Sequence, residues 1–408
     1  MTAAAPLAVT MGEPAGVGGE LSLKAWSMRQ RGARPFFVLD DAVRLATLAD
    51  KLGLDVPVRQ IAQPADACAV FETALPVLSV RLCGPVLAGH PDPTNAPATL
   101  EAIERGARLA LAGEIAGMVT NPIQKKTLQD AGFRHPGHTE YLAELAGGVD
   151  VAMMLACPEM RVVPVTIHLS LAEAVRTLDS AKIIRAGRIA AAGLKSLFGI
   201  DRPRLAVAGL NPHAGEQGSM GDEEARVIAP AIEALKRDGI DARGPAPADT
   251  LFHAAARATY DAALCMYHDQ ALIPIKTVDF AGGVNVTLGL PYVRTSPDHG
   301  TALDIAGTGR LDQLLEGCDG PGVDFDGDHV AGTLNEQGAR EAARAGTDLD
   351  HGSFGERRRG TGNAPGQIEV EQEMLAEALA RIKTVGGDGL AKRRQPGELV
   401  HLGPGIQV

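Results

Sequence analysis

The chain has 408 residues, a formal net charge of −11 and an aromatic content of 3%. This length is enough for two domains with their own cores, and the negative charge argues against a nucleic-acid partner or an anionic membrane surface. Apolar runs all fall well short of the roughly 18 residues that a membrane span needs, so we expect no membrane partner either. The N-terminus lacks the features of a signal peptide and the five cysteines are scattered, which favours a cytoplasmic location.

Short apolar runs alternate with helical patterns along the N-terminal part of the chain. Predicted strands cover residues 7–11, 36–40 and 117–120, and predicted helices run from residue 21, over 41–52 and over 99–112. The Gly-rich stretch 12–20, GEPAGVGGE, joins the first strand to its helix. It resembles a phosphate-binding loop but matches neither G-x-G-x-x-G nor the Walker pattern. A tight strand-to-helix turn is the simpler interpretation.

The same alternation continues beyond residue 135. Predicted strands cover residues 153–156, 162–167, 204–210, 260–266, 272–275 and 284–290, and predicted helices cover 141–145, 171–199 and 222–238. We expect Thr139 to cap the first of these helices, and Asp179 or Ser180 to cap the main helix of the second region. Alternating strands and helices indicate an α/β fold with a mostly parallel sheet that is covered on both faces.

Three histidines share one sequence context. His168, His213 and His268 each follow an apolar strand directly or lie just beyond it. The carboxyl ends of parallel strands fall along one edge of a sheet, so distant residues can converge there. Three neutral imidazoles suit a divalent metal that keeps open coordination positions. Their spacings match no local zinc motif, and each histidine could instead make a local hydrogen bond.

A second group of polar residues follows the third histidine. Lys276, Asn285 and Arg294 offer a point charge, an amide and a planar fork, which together suit a phosphate monoester or a carboxylate. A salt bridge at the surface or between domains is the alternative. Asp249 and Asp269 could orient a ligand histidine or act as acid or base, and the residues alone do not decide between these roles.

The motifs together resemble the 4-hydroxythreonine-4-phosphate dehydrogenase family of vitamin B6 biosynthesis. They include NPIQK, GHTEYLAEL, TIHLSL, GLNPHAGEQGSMGDEE and MYHDQALIPIK, and they cover residues 7 to about 310 in the family's order. The resemblance implies a fold like that of isocitrate and isopropylmalate dehydrogenases, with two α/β domains and a cleft between them. The first domain would comprise residues 1–135 and 296–310, and the second, with the metal and substrate site, residues 136–295. It also implies a homodimer whose site is shared across the interface.

The resemblance assigns roles to individual residues. It implies that one divalent metal (zinc, magnesium or cobalt) is bound by His168, His213 and His268, one of them supplied across the dimer. The family's substrate-contacting positions are matched by His138, Thr139, Lys276, Asn285 and Arg294. The stretch 299–307, HGTALDIAG, resembles the adenosine loop of the related dehydrogenases, which makes His299, Gly300 and Asp304 the expected contacts of NAD or NADP. The expected catalytic residues are Asp249 and Lys276.

The implied reaction is the oxidation and decarboxylation of 4-(phosphooxy)-L-threonine to 3-amino-2-oxopropyl phosphate, with NAD as oxidant and a divalent metal. Three alternatives stay open: a different substrate, a different reaction and no reaction. The substrate could be threonate or erythronate 4-phosphate, or a cyclic diol. The same histidines and anion clamp could serve a metal-dependent phosphatase, or the chain could be an inactive binding module.

The C-terminal tail, residues 311–408, carries no motif that we recognise. We expect it to be largely irregular over residues 317–366, with a linker at 356–366, since it is rich in Gly, Asp and Arg. Apolar residues at helical spacing predict one helix near residues 368–385. Asp324, Asp326 and Asp328 resemble the start of a calcium loop, but the glycine that such a loop requires is missing.

Overall fold

The computed structural model describes residues 5–31, 33–280 and 282–310, and the predictions for the tail after Arg310 lie outside these residues. The strands within the described ranges are β1 (Leu7–Thr10), β2 (Phe36–Leu39), β3 (Val58–Ile61), β4 (Leu75–Leu78), β5 (Gly117–Thr120), β6 (Ala152–Cys157), β7 (Met160–Pro164), β8 (Arg204–Ala208), β9 (Asp241–Ala246), β10 (Ala262–Cys265), β11 (Val284–Leu288) and β12 (Arg294–Pro297). They form one continuous sheet in the order β3-β4-β2-β1-β5-β12-β11-β6-β7-β10-β8-β9.

Most neighbouring strands in this sheet are parallel. Antiparallel pairing is confined to the middle, where β11 pairs with β12 and β6, and β6 pairs with β7. Successive residues of β1 belong to different cores, since Leu7 and Val9 pack on one face and Ala8 on the other. The prediction of an α/β fold with a mostly parallel sheet covered on both faces is therefore confirmed.

Helices connect the strands and cover both faces. They are α1 (Gly18–Ser27), α2 (Ala42–Leu52), α3 (Ala67–Val70), α4 (Ala96–Leu111), α5 (Lys125–Asp130), α6 (His138–Leu145), α7 (Leu171–Thr177), α8 (Ser180–Phe198), α9 (Ala229–Arg237), α10 (Ala254–Arg257) and α11 (His268–Val278). The predicted cap of α8 is confirmed, because the Asp179 carboxylate accepts a hydrogen bond from the Lys182 amide. Within the described part of the chain, every helix is too short or too polar to cross a bilayer.

Two local predictions were wrong. Residues 272–275 lie in α11 and not in a strand, because a short apolar run cannot by itself distinguish a strand from a buried helix face. Ala271 and Ile275, one helical turn apart, are both fully buried, and this spacing is helical. The N-cap of α6 is Gly137 and not Thr139, which already lies in the first turn. Glycine is itself a good N-cap residue.

The sheet has two halves that are joined in its middle. The first half comprises β1 to β5 and β12, and the second half comprises β6 to β11. The chain leaves the first half after β5 and returns with β12, which pairs in parallel with β5 and antiparallel with β11. The predicted domain division at residues 135 and 296 stays a prediction, and β12 lies at its second boundary. Each half has its own buried cores.

Candidate active site

A cleft of about 430 Å³ opens where the two halves meet. It is lined by eight of the twelve residues to which the family resemblance assigns roles: His138, Thr139, His168, His268, Asn285, Arg294, His299 and Gly300. Lys276 does not line the cleft, but its Nζ lies 2.8 Å from the Asp298 carboxylate, which does. His213, Asp249 and Asp304 are exposed and lie outside the lining.

Arg294 is the most unusual side chain in the cleft. It opens β12 and is only 3% exposed. Its guanidinium donates hydrogen bonds to the hydroxyls of Thr287 (2.8 Å) and Thr120 (2.5 Å), and its Nε has no partner. Burial lowers the pKa of Arg294 to about 10, and the charge of Glu140 opposes this shift. A buried cation whose hydrogen bonds go only to neutral hydroxyls has much to gain from an anion bound beside it.

Two further polar groups of the cleft are shielded from solvent and unpaired. The Nε2 atom of His138 and the Oδ1 atom of Asn285 have no hydrogen-bond partner. Burial, assisted by the charges of Arg294 and Lys125, holds the pKa of His138 well below its usual range. His138 is therefore neutral at pH 7. Buried polar atoms are normally paired, so a cleft with several orphaned ones is suited to a polar ligand.

His168 and His268 lie together, with ring centroids 5.9 Å apart. They follow β7 and β10, which are neighbours in the sheet, and His213 follows β8, the next strand along. The His268 Nδ1 atom lies 2.7 Å from the Asp269 carboxylate, which leaves Nε2 free to bind a metal, as is common for metal-bound histidines. Burial and the charges of Lys125 and His268 lower the pKa of His168, which favours the neutral form that binds metal.

His213 lies apart from that pair in this single chain. It belongs to the segment Pro212–Gly218, which packs against the turn Ala248–Thr250 that carries Asp249. Within the described residues, the one group of three potential ligand atoms lying within 4.8 Å of one another is elsewhere, at Cys157, Glu159 and Asp279. The binding of one metal by His168, His213 and His268 stays a prediction, which requires the second copy of the chain.

Backbone strain is concentrated at the predicted ligands. In the described ranges, left-handed φ angles outside glycine occur at His168, His213, Ala214, Glu216, Gln217 and Ala302. All six lie at a predicted metal ligand, in the segment that carries one, or in the predicted cofactor loop. Residues in this region cost of order 1–3 kcal/mol each and cluster at functional sites. The backbone thus marks the same places as the sequence motifs, by an independent criterion.

The predicted cofactor loop lies at one end of the cleft. His299 Nδ1 donates to the Gly300 carbonyl over 2.8 Å, and its Nε2 is shielded and unpaired. Burial lowers the pKa of His299, so the ring is neutral. A side chain added at Gly300 would meet no atom within 4 Å, which leaves open space beside the backbone there. An unpaired ring nitrogen beside an open backbone fits a bound cofactor.

Sequence reasoning missed several residues of the cleft. Thr120 and Thr287 hold the guanidinium of Arg294, Lys125 adds positive charge, and Asp298 pairs with Lys276. Thr120 could have been predicted from the sequence, because it ends a buried strand directly before Asn121. Strand ends in parallel sheets carry binding residues. Thr287 lies within a strand, so nothing in the sequence distinguishes it from a packing residue.

A sequence model of the pyridoxal phosphate biosynthetic protein PdxA matches residues 32–314. The chain belongs to this family. Among curated PdxA relatives, the 4-hydroxythreonine-4-phosphate dehydrogenase of Caulobacter vibrioides is 52% identical over 318 residues, covering 76% of this chain and 94% of the relative. That of Bradyrhizobium diazoefficiens is 53% identical over 321 residues, covering 76% and 93%.

Solved structures of the same fold also match this PdxA-family chain. The crystal structure of 4-hydroxythreonine-4-phosphate dehydrogenase from Klebsiella pneumoniae matches with a TM-score of 0.70 and 38% identity, covering 75% of this chain and 94% of that one. A terephthalate 1,2-cis-dihydrodiol dehydrogenase from Burkholderia xenovorans matches with a TM-score of 0.54 and 27% identity, covering 77% and 96%. The predicted family, and with it an enzyme of vitamin B6 biosynthesis, is confirmed.

Proposed function

We propose that the protein oxidises and decarboxylates 4-(phosphooxy)-L-threonine to 3-amino-2-oxopropyl phosphate, using NAD or NADP and one divalent metal. The observation that carries this proposal is the buried guanidinium of Arg294, which bonds only to hydroxyls in a cleft whose other polar groups are unpaired. The curated relatives at 52–53% identity are named for this dehydrogenase activity.

The phosphate end of the substrate would bind at Arg294. A guanidinium can form two parallel, charge-assisted bonds to phosphate, which fixes orientation as well as affinity. The neutral ring of His138 and the amide of Asn285 are free for further hydrogen bonds, and Thr139 lines the same wall. Anchoring this end would determine which substrate carbon faces the histidine pair.

The reacting end would lie at His168 and His268, which would hold the metal together with His213 from a second copy of the chain. A bound divalent metal supplies Lewis-acid polarisation of the substrate oxygens, and bound NAD or NADP accepts the hydride. Lys276, whose Nζ forms an ion pair with Asp298 at the cleft wall, would move the substrate proton. Asp249, beside the His213 segment, would act from the second copy.

A homodimer is supported by apolar surface around the three histidines. Ten large apolar side chains are exposed in the described ranges, and seven of them lie close in sequence to these histidines: Leu169, Leu171, Val175, Met220, Ile273, Val278 and Phe280. We expect these side chains to form one patch in space, because exposed apolar patches mark association sites. We expect Ile273→Glu, at a side chain 64% exposed, to yield monomers that bind metal poorly, as measured by light scattering and metal titration. Val43→Glu, at an equally apolar site 77% exposed on α2, should leave the dimer intact.

The function is tested by following NAD and NADP reduction with a panel of substrates, with added divalent metal and with chelator. The panel comprises 4-phosphothreonine, threonate 4-phosphate, erythronate 4-phosphate and a cyclic cis-diol. Reduction that requires metal and is fastest with 4-phosphothreonine is the expected result. Faster reduction with another substrate would reassign the substrate. Phosphate release without either nucleotide would indicate a phosphatase and contradict the proposal.

A further inference from the structure

The Gly-rich stretch 12–20 and the start of α1 have no role in the site described so far. Their structure assigns them one, which rests on the proposed NAD- or NADP-dependent function and on the predicted binding of that cofactor by the loop that begins with residues 299–307. We infer that Glu20 is a positioning residue for cofactor binding: its carboxylate holds the far end of that loop in the shape that receives NAD or NADP.

Glu20 is fully buried in the first turn of α1, with 0% of its surface exposed. Its Oε1 atom accepts a hydrogen bond from the backbone amide of Gly307, 287 residues away, and its Oε2 atom has no partner. Burial raises the pKa of Glu20, and the loop amides and the charges of Lys24 and Lys51 oppose this shift. Burying a carboxylate costs free energy. Here the buried carboxylate accepts a hydrogen bond from a loop amide, in place of the regular backbone pairing that the loop lacks.

Lys24 holds the loop from the same face of α1. It lies one helical turn after Glu20, and its Nζ donates to the Gly309 carbonyl over 3.1 Å. The loop amide at Gly307 and the loop carbonyl at Gly309 are therefore held by neighbouring acidic and basic side chains. The end of the loop cannot shift without breaking both bonds.

The Gly-rich turn holds the beginning of the same loop. The Val17 amide donates to the Thr301 carbonyl over 3.1 Å. A Cβ at Gly16 would lie 2.8 Å from that same carbonyl oxygen, so the close approach requires glycine. On the other side, a Cβ at Gly89 would lie 2.8 Å from the Leu303 carbonyl oxygen. The loop is thus enclosed at both ends by residues 16–24 and in its middle by Gly89.

Holding both ends has a consequence for binding. The predicted cofactor contacts His299, Gly300 and Asp304 lie before or between the two attachment points, and Ala302 between them has a left-handed φ of 43°. A loop in such a conformation stays there only if its surroundings hold it. If the loop were released, cofactor binding would have to order it again, and affinity would fall accordingly.

The test compares Glu20→Ala and Glu20→Gln with Ser22→Ala in the full chain. Ser22 is a buried polar residue of the same helix that bonds to Gly18 and Asn121 and not to the loop, so it reports damage to α1 alone. We expect Glu20→Ala to weaken NAD binding, measured by calorimetry without substrate, about tenfold. Amide hydrogen exchange over residues 299–310 of the cofactor-free protein should become faster. The KM for the phosphorylated substrate should stay unchanged.

Glu20→Gln keeps an oxygen that can accept from the Gly307 amide, so it should recover most of the affinity. If Glu20→Ala does not fold, Gly16→Ala carries the test, because its added Cβ displaces the Thr301 backbone and should weaken NAD in the same way. NAD affinity equal to that of Ser22→Ala, or equal losses for NAD and substrate, would overturn the inference. A wild-type protein that binds neither NAD nor NADP would instead overturn the proposed function, and this inference with it.

Discussion

Replacing Arg294 by methionine should abolish tight binding of the phosphorylated substrate and leave NAD binding intact. Arg294 is 3% exposed and its guanidinium has no carboxylate among its hydrogen-bond partners, so most of its favourable interaction is expected with the substrate's phosphate. Hydrogen bonds to charged groups contribute about 1.5–3 kcal/mol, which corresponds to a loss of roughly 10- to 150-fold in substrate affinity. Methionine is apolar and long enough to fill most of the space.

The same variant should not destabilise the unliganded protein. Replacing a buried ion by an apolar residue of similar volume is often neutral or stabilising, because the cost of burying the charge disappears. We therefore expect the free energy of unfolding of Arg294→Met to lie within about 1 kcal/mol of the wild-type value. Arg294→Lys keeps the charge and loses the planar fork, so its substrate affinity should be intermediate.

Calorimetric titration gives the dissociation constants for substrate and NAD separately, and urea denaturation gives the stability. Arg188→Met is the matched control, since that arginine is exposed on α8 and pairs with Asp238. It should change neither affinity. Equal losses of NAD and substrate affinity in Arg294→Met, or unchanged substrate affinity, would refute the assignment of Arg294 as the phosphate anchor.

Three further results are expected. Burial lowers the pKa of His138 below the unfolded value of about 6.5, so the contribution of this residue to stability is fully present above pH 6.5 and is lost as the pH falls towards and through the folded pKa. The urea midpoint of the metal-free protein should therefore be lower at about pH 5.5 than at about pH 7.5. His138→Gln should reduce the difference between these two midpoints. Gln217→Gly relieves a left-handed φ of 57° and should raise stability by about 0.5–1 kcal/mol, read as a higher melting temperature. Zinc at a hundred times its dissociation constant should raise the free energy of unfolding by about 2.7 kcal/mol. His268→Ala should remove this increase, and the control His90→Ala, at an exposed histidine, should keep it.

The sequence predicted the architecture where the physical signal is local. Buried parallel strands are short apolar runs, so most strands and the mostly parallel sheet could be read from the chain. The cap of α8 was predictable because aspartate before a helical pattern has a specific role. The apolar residues 272–275 were misread because four residues are too few to show a helical period.

The parts that could not be predicted depend on contacts between distant residues. The bond between Glu20 and Gly307 spans 287 positions, and no local pattern announces it. The hydroxyls around Arg294 come from two different strands, so its lack of a carboxylate partner is visible only in three dimensions. The left-handed backbone of His168 could not be read from the sequence either, because only a small minority of histidines adopt a positive φ, although they do so more often than most residues.

The placement of β12 has a consequence for synthesis on the ribosome. The strand is the last one in the described chain, yet it lies in the middle of the sheet, where Arg294 bonds to Thr120 across 174 positions. At about 5–20 residues per second, β5 emerges roughly 9–35 s before its partner. During that interval the first half has an unpaired strand edge, which is a template for association with other chains. The nascent protein therefore completes its first half only after its second half has been made, and the edge of β5 stays open to other chains until then.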